Sequence, residues 1–190
     1  MFKKTLFLIL YNIKMKIAVF DVDDTLIIHG KGSQDYYKTK TNDSFKKLLQ
    51  SKNFDKIYLY TNGTHGHGES IAKHLNIYDM ISFTYGRNNL QPYINRGVLK
   101  HDPDTNMPIH MKPSKESFNF VNDSIFTDNS IYNDIYNTHE IYFFDDLEDN
   151  LKTAKSIGWK TVLIKPNDVS ENYIDYVFPN IYAALLTMDI

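Results

Sequence analysis

The sequence predicts an α/β fold with a central parallel sheet that helices cover on both faces. Segments with strand-like and helix-like patterns alternate along the 190 residues, as they do in chains built from repeated strand–helix units. The strand-like segments are nearly continuous apolar runs, which is typical of strands buried on both faces. Polar residues directly follow several of these runs, at the positions where open α/β sheets bind ligands.

The predicted strands are short runs rich in β-branched and aromatic residues. In chain order they are Ile17–Val22, Lys56–Thr61, Met80–Tyr85, Glu140–Asp146 and Lys160–Lys165, followed by a short sixth strand near Asp175. Parallel strands need long crossover connections, and helix-like segments lie between these runs. We therefore expect the strands to form a single parallel sheet.

The predicted helices show apolar residues at helical spacing, with capping or terminating residues at their ends. They are Ser44–Gln50, Glu69–Leu75, a helix beginning near Pro113, a helix that Gly158 ends, and a closing helix near the C-terminus. Proline suits the first turn of a helix and glycine suits its end. The least regular segments are His29–Thr41 and Gly86–His110, and loops of that length in a compact domain are often functional.

Length and composition favour a single domain over residues 15–190, since 190 residues suffice for a full core. Residues 1–14 are expected to be a dispensable extension or an extra edge element, because their apolar run is too short to span a membrane and no small-residue cleavage site follows it.

The net charge of −2 does not support binding to nucleic acid or membranes by bulk electrostatics. The chain has no cysteine, which excludes disulfides, thiolate metal sites and a cysteine nucleophile, and fits a cytoplasmic protein.

Acidic residues are concentrated where two predicted strands end. The segment "DVDDT" places Asp21, Asp23 and Asp24 within four positions, and Asp145 and Asp146 end the fourth strand. Carboxylates this close repel one another, and burying them unpaired is costly. Mg²⁺ takes hard oxygen ligands and bridges to phosphate. The sequence therefore predicts a magnesium and phosphate site at the carboxyl ends of the strands.

Further polar residues suit phosphoryl transfer. The second strand ends in Thr61, Asn62 and Gly63, and Lys112 precedes the helix near Pro113. An aspartate can attack phosphorus and form an aspartyl-phosphate, and a lysine with threonine and backbone N–H donors can bind the other phosphoryl oxygens. A second carboxylate two residues on can protonate the leaving oxygen and then activate water.

Four motifs, "DVDDT", "YLYTN", "KP" and "FFDDLEDN", resemble the ordered motifs of the haloacid dehalogenase (HAD) superfamily over about Lys16 to Lys165. The resemblance implies a Rossmann-like three-layer sandwich around a central parallel sheet. The wording of the third and fourth motifs is most similar to the pyrimidine 5′-nucleotidase-like branch. That branch usually inserts a helical cap between the first two motifs, and too few residues separate Asp21 from Thr61 for such a cap. We therefore expect a capless domain or a minimal flap.

The resemblance also implies catalytic roles. Asp21 would be the nucleophile and a metal ligand. Asp23 would be the general acid/base, with its main-chain carbonyl on the metal. Thr61 and Lys112 would bind the phosphate. The implied substrate-binding residues lie beside the phosphate or in the expected flap: Asn62, Gly63, Tyr36 and Tyr37.

Some roles near the site stay open at this point. Asp145 would be the third metal anchor with Asp146 beside it, and either Asp146 or Asp149 could touch the metal. Asp149 could equally place a favourable charge in the first turn of its helix. His65 and His67 could touch the substrate, but we interpret them as exposed loop histidines.

The function that we expect is Mg²⁺-dependent hydrolysis of small phosphomonoesters, such as nucleoside monophosphates, through an aspartyl-phosphate. One alternative is a phosphatase that acts on a macromolecule, either a polynucleotide 3′-phosphate or a protein, because an uncapped site is open. The other is a non-catalytic phosphate-binding scaffold. The absence of a basic stripe argues against nucleic acid, and the complete set of acidic and lysine residues argues against a scaffold. No membrane partner is expected, and a homo-oligomer stays open, since a neighbouring subunit could help to exclude water.

Overall fold

The computed structural model describes residues 14–28, 43–94, 100–104, 106–129, 138–166 and 171–189. The strands in these ranges are β1 Lys14–Phe20, β2 Lys56–Thr61, β3 Phe83–Gly86, β4 Thr138–Asp145, β5 Lys160–Ile164 and β6 Tyr176–Phe178. The helices are α1 Asp43–Gln50, α2 His65–His74, α3 Arg87–Ile94, α4 Lys115–Asp128, α5 Glu148–Ser156 and α6 Ile181–Thr187. None of the helices in these ranges is long and apolar enough to cross a membrane.

The six strands form one parallel sheet in the order β3-β2-β1-β4-β5-β6. The chain builds one half of the sheet outward from β1 and the other half outward from β4, so the order reverses between these two strands. The crevice outside their carboxyl ends is where sheets of this kind bind ligands. Phe20 of β1 is opposite Phe144 of β4, so the residues that follow them, Asp21 and Asp145, are neighbours at this crevice. The predicted α/β sandwich with a central parallel sheet is confirmed.

Two hydrophobic clusters cover the two faces of the sheet, because successive side chains of a strand point to opposite faces. Ala18 and Phe20 of β1 pack in a cluster with residues of α1, α2 and α6. Ile17 and Val19 pack in the other cluster with residues of α3, α4 and α5. The nearly complete burial of these β1 side chains explains why the strand is apolar at every position rather than at alternate ones. The sheet is thus packed on both faces, and this packing fixes the position of the residues at the carboxyl ends of its strands.

Several elements differ from their predicted bounds. β1 begins at Lys14, the last residue of the predicted extension. The third strand begins at Phe83 because Tyr78–Met80 forms a short 3₁₀ turn before it. The segment predicted to be irregular after Gly86 contains α3, whose helical pattern is weak because Pro92 lies inside it. Local periodicity does not reveal a short helix of this kind.

The connection between β1 and β2 contains α1, which packs in the core with Phe45 and Leu49 buried. The residues left for a flap are 29–42, a segment too short for a helical cap domain. The flap was expected over Ile27–Tyr37, but Ile27 is buried in the core, and Tyr36, Tyr37 and the other expected flap residues from 29 onward lie outside the described residues.

Candidate active site

The chain turns sharply after β1. Asp24 has a φ of 60°, in the left-handed region that aspartate tolerates better than most residues. The amides of Leu26 and Ile27 both donate to the carbonyl of Val22, at 3.0 and 3.2 Å. Because these three apolar residues are buried, the core anchors the turn. The Asp21 amide donates to the Phe144 carbonyl at 2.9 Å, so the first acidic residue still continues the pairing of β1 with β4.

Three carboxylates meet at the carboxyl ends of β1 and β4. Asp21, Asp145 and Asp146 each offer an oxygen, and these oxygens lie within 4.8 Å of one another. Burial raises the pKa of Asp21 to about 7, while the Lys112 ammonium lowers it and the Asp145 carboxylate raises it. Burial also raises the pKa of Asp146 to about 6, with a further contribution from Asp145. Burial and mutual repulsion therefore make it costly for these carboxylates to be negatively charged together. A divalent cation such as Mg²⁺, which prefers hard oxygen ligands, would offset that cost.

Lys112 lies between two of these carboxylates. Its Nζ donates to Asp21 Oδ1 and to Asp145 Oδ2, each at 2.7 Å, and the residue is only 1% exposed. Burial works to lower the pKa of this ammonium, but the Asp145 and Asp21 carboxylates more than offset burial and the pKa is raised. The Nζ also lies 5.1 Å from the ring centroid of Tyr60 and 5.3 Å from that of Phe143. Lys112 is therefore a charged group with a fixed position next to Asp21.

Asp145 is fully buried and accepts hydrogen bonds from its own loop. The Leu147 amide donates to Oδ1 at 2.8 Å, and Asn150 Nδ2 lies 3.0 Å from each carboxylate oxygen. These donors and Lys112 satisfy the hydrogen-bonding capacity of the buried carboxylate. Sequence reasoning assigned no role to Asn150. Its position in "DDLEDN", within the first turn of α5, is the only local signal that it could face Asp145.

Asn62 anchors the segment that carries Lys112. Its Nδ2 donates to the Lys112 carbonyl at 2.9 Å, and the Lys112 amide donates to Asn62 Oδ1 at 2.7 Å. This reciprocal pair resembles the pairing of two strands and ties the end of β2 to the segment before α4. Asn62 was predicted to bind substrate, and the structure shows that its amide positions Lys112.

Replacing Asn62 with alanine should lower the free energy of unfolding by about 1–3 kcal/mol, because the part-buried Lys112 amide and carbonyl lose their partners. Turnover should fall as well, since the Lys112 ammonium loses its anchor. Chemical denaturation and steady-state kinetics measure the two effects. The exposed Asn172 provides the control, Asn172→Ala, which should change neither. Unchanged stability and turnover in Asn62→Ala would contradict this role.

Thr61 and Asp23 lie on the other side of Asp21. Thr61 is buried, and its Oγ1 accepts from the Gly63 amide at 2.9 Å and lies 3.5 Å from Asp23 Oδ2. Asp23 is half-buried, and its Oδ1 lies 2.8 Å from His67 Nε2. The end of β2 and the turn after β1 therefore place a hydroxyl, an amide and a second carboxylate in one corner.

The two histidines after β2 are not exposed loop residues, as the sequence suggested. α2 begins at His65, four residues before its predicted start, because Thr64 caps it by accepting from the His67 amide at 3.1 Å. The ring of His67 thereby reaches Asp23. His65 points elsewhere, with its Nδ1 2.8 Å from the carbonyl of Thr84 on β3. Threonine is a favoured N-cap residue, and Thr64 was the signal that could have identified this start of the helix.

The structure thus brings most of the predicted site residues together and leaves one of the acidic candidates outside. Asp21, Asp145, Asp146 and Lys112 form one cluster, with Thr61, Gly63 and Asp23 beside it. Asp149 is exposed and lies outside the three-carboxylate group. Of the two candidates left open by the sequence, Asp146 is the one that reaches the other carboxylates.

A cleft of about 1090 Å³ opens beside the cluster. Its lining includes Asn62, Lys112 and Asp146 of the site, together with the basic residues Lys115, Lys152 and Lys165. Acidic residues also contribute to its walls, among them Asp102 and Asp104. The cleft can accommodate a drug-sized or nucleotide-sized molecule, and Lys112 and Asp146 are the members of the cluster that line it.

Comparison with known proteins found solved structures that are similar to this chain in fold. The sequence matches no protein-family model and no curated protein. The L-2-haloacid dehalogenase from Xanthobacter autotrophicus is similar in structure, with a TM-score of 0.56 at 10% identity, over 92% of this chain and 98% of that one. The putative HAD-hydrolase YfnB from Bacillus subtilis bound to magnesium has a TM-score of 0.53 at 14% identity, over 94% of this chain and 100% of that one. At identities this low, the structural similarity shows a shared fold and nothing finer.

Proposed function

We propose, starting from the haloacid dehalogenase fold of this chain, that it is a Mg²⁺-dependent phosphomonoester hydrolase acting through an aspartyl-phosphate on Asp21. The observation that supports this most strongly is the meeting of Lys112 with three carboxylates at the carboxyl ends of β1 and β4. A structural ion pair would need one carboxylate for one lysine. A buried lysine with three clustered carboxylates instead suits a site that binds both a cation and an anionic group.

In the first half-reaction, an oxygen of Asp21 attacks phosphorus and the bond from phosphorus to the leaving oxygen breaks. Asp23 donates a proton to that leaving oxygen, which departs as an alcohol. Lys112 lies 2.7 Å from Asp21, where its ammonium can stabilise the negative charge of the transferring phosphoryl group. Thr61 and the neighbouring backbone amides offer further donors in the same corner.

In the second half-reaction, Asp23 takes a proton from water and the water oxygen attacks phosphorus. The bond from Asp21 to phosphorus breaks, which restores the Asp21 carboxylate and releases inorganic phosphate. Asp21, Asp145 and Asp146 are the residues that would bind Mg²⁺, and the bound ion would neutralise charge on the phosphoryl oxygens. The three closely spaced carboxylate oxygens fit this ion.

Dehalogenation is the rival chemistry on this fold, since one of the similar structures is a haloacid dehalogenase. Asp23 favours the phosphatase. A halide leaves without a proton, whereas the alcohol released from a phosphomonoester needs one, and a dehalogenase therefore needs no acid two residues after its nucleophile. The half-buried carboxylate of Asp23, with Thr61 Oγ1 3.5 Å away, lies where such an acid is useful.

The proposed substrates are small phosphomonoesters, with nucleoside monophosphates preferred over sugar phosphates. The cleft of about 1090 Å³ beside Lys112 has room for a base and a sugar, and its lysines can meet an anionic substrate. A macromolecular substrate is the second candidate, since the described residues contain no cap that closes over the site. The mixture of acidic and basic residues along the cleft argues against a nucleic-acid strand, which requires a basic groove.

The test compares kcat/KM for a nucleoside monophosphate, a sugar phosphate, a 3′-phosphorylated oligonucleotide and a 2-haloacid, each with Mg²⁺ and with EDTA. The proposal expects Mg²⁺-dependent turnover that is highest with the nucleotide. Turnover of the haloacid alone would replace phosphatase by dehalogenase chemistry. If kcat/KM for the oligonucleotide exceeds that for the nucleotide by an order of magnitude or more, the substrate is a macromolecule and the small-nucleotide proposal is wrong.

Replacing both Tyr36 and Tyr37 with alanine should raise KM for the nucleotide about tenfold, on the scale of a lost base-stacking contact. These residues fall in the flap that the HAD resemblance implies. A generic aryl phosphate should keep nearly the same KM, because it has no base to stack. Steady-state kinetics with the two substrates measure the difference, and an equal change with both would contradict a stacking role.

A further inference from the structure

We infer that His67 is a positioning residue that orients the Asp23 carboxylate toward the leaving group. The inference rests on the proposed function, because it takes Asp23 to be the general acid/base. His67 Nε2 lies 2.8 Å from Asp23 Oδ1, and Thr61 Oγ1 lies 3.5 Å from Asp23 Oδ2. The imidazole therefore binds one carboxylate oxygen and leaves the other directed toward the corner where Thr61 would bind the phosphate.

Of the two side chains described beside the Asp23 carboxylate, His67 makes the closer contact. Asp23 lies in a turn, and its side chain is 35% exposed. The contact with Thr61 is at the long limit for a hydrogen bond, whereas the contact with His67 has a normal length. An acid that must deliver a proton to one atom works only while it points at that atom. The hydrogen bond from the imidazole restricts the rotation of this carboxylate.

His67 is itself fixed in place. It lies in the first turn of α2, where its amide donates to Thr64 Oγ1. A Cβ added to Gly63 would lie 2.9 Å from His67 Cδ2 and 3.1 Å from Thr61 Oγ1, so the absence of a side chain at Gly63 provides the space for the ring. The helix itself packs close to the sheet, because a Cβ added to Gly68 would lie 2.7 Å from Thr84 Cγ2. The backbone around the end of β2 thus directs the imidazole at Asp23.

The test uses the dependence of rate on the leaving group. Loss of a well-placed acid should slow substrates whose leaving alcohol needs a proton and spare those with a stable leaving anion. His67→Ala should lower kcat/KM for an alkyl phosphate, such as a nucleoside 5′-monophosphate, about 10- to 100-fold. The same variant should lower kcat/KM for p-nitrophenyl phosphate less than about threefold on that argument. His67→Gln, whose amide N–H can donate in place of the imidazole, should recover part of the alkyl phosphate rate.

Two comparisons complete the experiment. Asp23→Asn should show the same leaving-group selectivity in a stronger form. His65→Ala is the matched control, since His65 lies in the same turn of α2 but contacts the Thr84 carbonyl, and it should keep the wild-type ratio between the two substrates. Circular dichroism checks that each variant is folded, and if His67→Ala is unfolded, His67→Asn provides the same comparison with a shorter amide side chain.

The outcomes separate this inference from the proposed function. If the wild-type protein hydrolyses neither phosphate with Mg²⁺, the proposed function fails. If the wild-type protein is active and Asp23→Asn discriminates between leaving groups, but folded His67 variants slow both substrates equally or neither, the positioning role of His67 is overturned while the phosphatase stands. Selective loss of the alkyl phosphate rate in the His67 variants, with partial recovery in His67→Gln, supports the inference.

Discussion

Asp21→Asn is expected to reduce turnover of phosphomonoesters to about a hundredth of the wild-type rate or less, on the scale of a lost nucleophile. The amide that replaces the carboxylate is a very poor nucleophile and removes one negative charge from the metal site. The fold should be retained, because the asparagine oxygen can still accept from Lys112 in the geometry that Asp21 uses. Steady-state kinetics and circular dichroism measure the two properties on the same preparation.

A direct measurement distinguishes a lost nucleophile from a weakened metal site. Wild-type protein quenched in acid during turnover should contain a phosphorylated peptide that includes Asp21, detectable by mass spectrometry, and Asp21→Asn should not. Asp123→Asn serves as the control, because this exposed acid of α4 lies outside the carboxylate cluster and does not line the cleft, and it should keep wild-type turnover. Asp21→Asn with more than about a hundredth of the wild-type rate would refute the assignment of the nucleophile.

The second large effect is on stability. Mg²⁺ at about a hundred times its dissociation constant should raise the free energy of unfolding by about 2.7 kcal/mol. For a chain of this size that corresponds to a rise in Tm of about 5–10 °C. The physical reason is that the ion binds the folded cluster of Asp21, Asp145 and Asp146 and relieves the repulsion among its carboxylates. EDTA should reverse the rise and abolish turnover, and added Mg²⁺ should restore both.

Asp146 and Asp149 form a matched pair for this measurement, since both follow β4 and only Asp146 belongs to the cluster. Asp146→Asn should shrink the Mg²⁺-induced rise in Tm, and Asp149→Asn should preserve it. Asp145 is a poorer choice for substitution, because it also accepts hydrogen bonds from Leu147 and Asn150. Full turnover in EDTA would contradict the metal site, and a Tm unaffected by Mg²⁺ would argue against the cluster as its location.

The central part of the site could be predicted because it depends on strand ends. Apolar runs identify β1, β2 and β4, and parallel strands bring their carboxyl ends to one edge. Asp21, Thr61 and Asp145 then follow directly from their positions after those runs. The motif resemblance added the placement of Lys112 beside the phosphate, which no local pattern supplies, whereas the order of the strands came from the structure.

Side-chain contacts between residues that are far apart in the sequence could not be predicted. His67 and Asp23 are 44 positions apart, and their contact depends on where α2 begins. Thr64 caps that start by accepting a hydrogen bond from the His67 amide, whereas the apolar periodicity of the helix becomes visible only further along. The role of Asn62 likewise needed the position of Lys112, 50 residues away, because its amide could equally face a substrate.

The pairing of β1 with β4 determines when the carboxylate cluster can assemble during synthesis. Asp21 is translated early, but Asp145, Asp146 and the strand that places them beside it follow much later. A nascent chain that does not yet extend to β4 therefore carries the complete "DVDDT" segment without its two acidic neighbours. Domains generally fold as units during synthesis, and here the last strand that the cluster needs lies in the final third of the chain. The three carboxylates can therefore come together only late in synthesis, after most of the chain has been translated.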